Sequence, residues 1–96
     1  MAESSATGET GGSLPKVTFS AFVMSLASAA LVQLGEVPDP ESGRTGVDLG
    51  MARHNIDVLE MLLQKCQGNL NAEEKSLLES ILYELRLKYV LKADSK

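Results

Sequence analysis

The stretch Phe19–Leu34 reads FSAFVMSLASAALVQL, and no charged side chain occurs anywhere between Lys16 and Glu36. At 100° per residue the positions Phe19, Phe22, Val23, Leu26, Ala30 and Leu34 share a broad apolar face, and Met24 and Leu31 make a second small patch. Ala21, Ser25, Ser28 and Val32 form a third stripe of compact residues. Thr18 is placed as an N-cap and Gly35 as the C-terminal stop. A helix with no charged face is enclosed on most sides by other polypeptide. That requirement sets the expectations for the rest of the chain.

Downstream, Pro38, Pro40, Ser42-Gly43 and Thr45-Gly46 mark Glu36 to Val47 as a loop, long enough that it is expected to pack on something. Asp48 then caps a second helix, Leu49 to about Gln67. Leu49, Ala52, Ile56, Leu59, Leu63 and Cys66 keep helical spacing on its inner face, with Arg53, Asp57, Glu60 and Gln64 opposite. Gly68 stops it. Asn71-Ala72-Glu73-Glu74 has the form of a capping box and opens a third helix with Leu77, Leu78, Ile81, Leu82, Leu85 and Tyr89 facing inward. Tyr83, Leu87 and Val90 make a second apolar stripe, and Glu84 and Lys88 are ordered for an i,i+4 pair. The short Gly68–Asn71 link makes the last two helices an antiparallel hairpin.

The expected architecture is therefore all-α: an apolar helix on a helical hairpin, with residues 1–14 a disordered tail, 15–91 the domain and 92–96 a C-terminal tail. At 96 residues there is room for one domain, and with 4% aromatic residues and no Trp the core is aliphatic. One hairpin covers about one side of the first helix. The stripes Ala21, Ser25, Ser28, Val32 and Tyr83, Leu87, Val90 are left over, and a homodimer formed through them is the expected solution.

No arrangement that carries chemistry emerges. A net charge of -4 without a basic run argues against nucleic acid as a partner. Cys66, the single cysteine, makes no internal disulfide, fits a reducing compartment and reads as a buried, inert thiol. His54 and Asp57 fall short of the three or four ligands zinc takes. Counted as a calcium loop from Asp39, the sixth and twelfth positions hold Arg44 and Gly50 where Gly and Glu are required, so Glu36, Asp39 and Glu41 read as a solvated acidic turn. Gly8 to Gly12 lacks the Gly-Lys-Ser/Thr of a phosphate loop. The chain is expected to be noncatalytic, with no catalytic residue, metal or cofactor.

Val17–Gly35 is uncharged for 19 residues, near the lower limit for a membrane span. A membrane-associated accessory protein anchored by 19–34 is thus the alternative to a soluble interaction protein. Five polar residues in the stretch, fewer large apolar residues than a span usually carries, and flanks of only Lys16 on one side and Glu36 on the other argue for burial in protein. Ala27-Ser28-Ala29 would serve as a signal cleavage site only after a basic leader, and this leader is acidic.

The blocks Val17-Thr18-Phe19-Ser20-Ala21-Phe22-Val23-Met24-Ser25-Leu26, Leu34-Gly35-Glu36-Val37-Pro38-Asp39-Pro40, Ile56 to Leu62 with Gly68-Asn69-Leu70, and Leu82 to Val90 occur in this order. In them the chain resembles the bacterial family catalogued as domain of unknown function 1844, from about Leu14 to Val90. The resemblance implies a bacterial source and a cytoplasmic protein. It brings no activity, cofactor or site residue.

Overall fold

The computed structural model describes Leu14 and residues 16–95; the tail expected at 1–14 lies, apart from Leu14, outside the described residues. Among the described residues three helices make up the regular structure: α1 (Phe19–Gln33), α2 (Leu49–Lys65) and α3 (Ala72–Asp94). Among the described residues there is no strand.

Each helix begins where a short polar side chain accepts an otherwise unpaired backbone N–H. Thr18 Oγ1 accepts from Ala21 at 3.0 Å and Asp48 Oδ1 from Met51 at 3.1 Å. Asn71 Oδ1 accepts from Glu74 at 2.8 Å, and Glu74 Oε1 accepts from Asn71 N–H at 3.0 Å, so the capping box is complete.

The end of α1 is closed by backbone geometry. Gly35 sits at φ 77°, its N–H donates to Val32 O at 3.0 Å, and Glu36 N–H donates to Leu31 O at 3.0 Å. These two bonds are the Schellman pair that satisfies the last carbonyls of a helix. A further carbonyl there, Gln33 O, accepts from Asp48 N–H at 2.7 Å, which ties the end of α1 to the cap of α2. The loop between them closes on itself. Asp39 N–H donates to Arg44 O at 2.8 Å, Gly43 N–H to Asp39 O at 2.7 Å, and Glu41 N–H to Asp39 Oδ1 at 2.8 Å. The long connection thus packs on its own chain.

The core is one cluster: Val23, Ala27, Ala30 and Leu34 from α1 and its cap, Ala52, Ile56 and Leu59 from α2, and Leu78, Leu82 and Leu85 from α3. All three helices touch one another. Three of the ten residues are alanines, and Ala30 and Ala52 are fully buried. With nothing beyond a Cβ, these residues permit helix backbones to approach closely.

The structure corrects several expectations. Phe22, placed on the inner face of α1, is 51% exposed. The buried stripe is Val23, Ala27, Ala30, Leu34, and one residue before Val23 lies about 100° around the helix. Cys66 is half-buried at the C-cap of α2 and not enclosed, and α2 ends at Lys65, short of Gln67. The last helix runs on through Asp94, so residues 92–94, expected in a tail, are helical. Leu91, Lys92 and Ala93 are good helix formers, and Lys92 suits the negative end of the helix while lying 3.8 Å from Glu36.

Gly35 carries a double constraint. A Cβ there would stand 3.0 Å from Val47 Cγ2 and 3.2 Å from Gly46 O, in addition to the positive φ. Gly43 has φ 73° but meets nothing within 4 Å. Gly43→Ala is expected to cost about 1–2 kcal/mol, the left-handed penalty alone. Gly35→Ala should cost clearly more. Urea unfolding of both variants checks this, and equal losses would contradict the packing role given to Gly35.

Candidate functional site

The surfaces left uncovered by the core are the candidate site. On α1 the outer side presents Ser25 and Ser28 exposed and Ala21 and Val32 half-buried. Phe22 and Met24 flank them, each about half exposed. Ser25 Oγ donates to Ala21 O at 3.1 Å, so its hydroxyl is satisfied within the helix. This side is uncharged along its whole length. Surface helices ordinarily carry charge on the side turned away from the core.

On α3, Tyr83, Leu87 and Val90 are exposed. Together with Leu63 and Leu82 they line an open, mainly apolar groove of about 430 Å³, with Glu79 and Arg86 at its rim. Arg86 pairs with Glu60, which fixes the rim against α2. Among the described residues, none from α1 lines this groove. The seven residues expected to act together therefore fall on two surfaces: Ala21, Ser25, Ser28 and Val32 on α1, and Tyr83, Leu87 and Val90 on α3.

The polar residues weighed for chemistry are dispersed. Glu36 pairs with Lys92, and the Asp39 carboxylate is used inside the loop by Glu41 N–H. His54 is exposed on α2. Among the described residues no group of three or more His, Cys, Asp and Glu side chains is placed to hold a metal ion. The hydroxyl of Tyr89, and then the negative charge of Asp57 at 3.4 Å, hold the Arg53 guanidinium more firmly protonated than usual. It creates no reactive group, since arginine is charged in any case.

One inward polar contact escaped the sequence reading. Asn55 is buried and its Nδ2 donates to Gln33 Oε1 at 2.7 Å. Its signal was the spacing Ala52, Asn55, Ile56, Leu59, which puts position 55 on the inner side of α2. A buried amide needs a partner with matching geometry, so this bond fixes how α1 and α2 are placed along each other.

Among the described residues no helix is long and apolar enough to cross a membrane. The 15 residues of α1 rise about 22 Å, against a hydrocarbon layer of about 30 Å. A membrane span through residues 19–34 is therefore absent among the described residues.

Fold and surfaces together define a small three-helix domain whose distinguishing feature is uncovered apolar area. The chain belongs to the family described as domain of unknown function (DUF1844), whose model matches residues 16–91. No curated protein and no solved structure matches it.

The Gln33–Asn55 bond lends itself to a double-mutant cycle. Asn55→Leu or Gln33→Leu alone leaves one amide unpaired and is expected to cost about 1–3 kcal/mol. The double variant should cost less than the sum. Additive losses in chemical denaturation would contradict the role given to the pair.

Proposed function

We propose that this protein is a noncatalytic helical interaction module that works as a homodimer. In this reading α2 and α3 form an antiparallel hairpin behind α1, and the outer side of α1 is the principal contact between two copies. The observation that carries it is the uncharged outer side of α1, with Ser25 and Ser28 exposed and Phe22 and Met24 half exposed beside them. Compact side chains let two such helices approach closely. A twofold contact brings the same surface to itself, so the absence of charge means no like-charge repulsion at the centre. The groove on α3 supplies the second apolar area.

Sedimentation equilibrium of the whole chain tests this. A dimer mass at micromolar concentration is expected. Ser28→Glu places two carboxylates face to face across the twofold axis. It should weaken association at least tenfold, about 1.4 kcal/mol, while leaving the helical signal of the separated subunits intact. A wild-type chain that stays monomeric at these concentrations would overturn the reading.

A further inference from the structure

The two ends of α1 differ in charge. Ahead of the helix, among the described residues, Lys16 alone is charged. Behind it, the loop to α2 holds Glu36, Asp39, Glu41 and Asp48 against the single cation Arg44. That loop is held at the C-terminal end of α1, because Asp48 N–H donates to Gln33 O at 2.7 Å. Asp39, Arg44 and Asp48 border an open pocket of about 360 Å³ together with Val32, which belongs to the outer stripe of α1. Net negative charge therefore stands beside the uncharged surface at one end only. We propose that two copies pair through α1 in antiparallel fashion, so that Lys16 of each lies over the acidic loop of the other. The proposal rests on the self-association put forward above and fixes its direction and register.

Direction follows from charge. A twofold axis along α1 makes the two helices parallel, sets the acidic loops side by side and brings Lys16 to Lys16. An axis across α1 sends the loops to opposite ends and replaces both repulsions by attraction. It also brings the positive N-terminal end of each helix dipole to the negative C-terminal end of the other. Asp39 and Asp48 accept N–H bonds from Glu41 and Met51, which hold both carboxylates in place at the pocket.

Register follows from length. Helix α1 runs Phe19–Gln33, with its midpoint at Leu26. An axis crossing between Leu26 and Ala27 overlaps the two helices along their whole length. Ala21 then faces Val32 of the second copy, and Ser25 faces Ser28 and Ala29. Lys16, two residues ahead of the Thr18 cap, arrives level with the loop that follows Gly35. Each copy makes the same contact twice, as a twofold axis demands.

The test is disulfide formation in a Cys66→Ala background. Ala21→Cys and Val32→Cys chains are oxidised singly and as an exchanged mixture, at a concentration where the wild type is dimeric. Antiparallel pairing leaves the two copies of position 21 about 16 Å apart along the helices, and the two copies of position 32 likewise. A disulfide joins Cα atoms no more than about 7 Å apart. The mixed product linking 21 to 32, recognised by its mass, is therefore expected to dominate. Single-variant products in excess of the mixed one mean parallel helices, which overturns the proposal and leaves the α1 contact standing. Equal yields of all three products mark chance collision and overturn it as well. No product at all from a dimeric protein removes the α1 contact together with this proposal, and so does a monomeric wild type. Sedimentation equilibrium supplies the second readout. Lys16→Glu sets a carboxylate over the acidic loop and should weaken the dimer about tenfold. In a parallel dimer the same change exchanges one like-charge pair for another, so an unchanged dissociation constant overturns the charge match.

Discussion

A helix with no hydrophilic side has to be enclosed, and within its own chain α1 leaves Phe22, Met24, Ser25 and Ser28 exposed. That imbalance organises the molecule. Val23, Ala27, Ala30 and Leu34 are buried by the rest of the chain, with Phe19, Leu26 and Leu31 packed partly against it. Apolar burial is favourable in proportion to area and is not directional, so it pulls α1 inward without choosing which stripe faces the core. Other features make the choice. Alanines at 27, 30 and 52 permit close approach, and the Asn55–Gln33 bond holds α1 and α2 at one position along each other.

The connection after α1 serves the same end. Two helices that must lie close need a fixed exit from the first and a fixed entry to the second. Gly35 supplies the exit by taking a left-handed conformation against Val47, and Asp48 caps α2 while donating its N–H to Gln33. The loop's acidic residues are engaged in this framework. Asp39 closes the turn, and Glu36 reaches Lys92 on α3. Residues that resemble a weak ion site in sequence thus have structural partners. Exposed ion pairs such as Glu84–Lys88 and Arg53–Asp57 add little stability, so burial and backbone closure dominate.

The sequence disclosed the elements whose signals are local. Thr18, Asp48 and Asn71 all cap the helices they were expected to cap, because capping depends on one side chain and an N–H two or three residues away. The inner faces of α2 and α3 were legible because charged residues mark the opposite side. On α1 that contrast is missing. Phe22 looked like core and is half in water, while Ala27 is buried, in step with Val23, Ala30 and Leu34, although a small side chain stands out little beside the larger apolar ones. Asn55 lies on the inner spacing of α2, but its partner Gln33 is on another helix, so the bond itself was not legible. The uncovered stripes were legible as stripes, but their division into an α1 surface and an α3 groove depends on how the helices pack. The end of α3 was misplaced since its last turn leans on Glu36, a contact between distant parts of the chain.

The central claim is that the outer side of α1 is covered by another copy of the chain. Thiol labelling at that surface tests it most directly, using Ser28→Cys in a Cys66→Ala background. The account predicts that the labelling rate at position 28 falls steeply as protein concentration rises through the range of association. A rate that stays at the value of a free, solvated thiol at every concentration would contradict it.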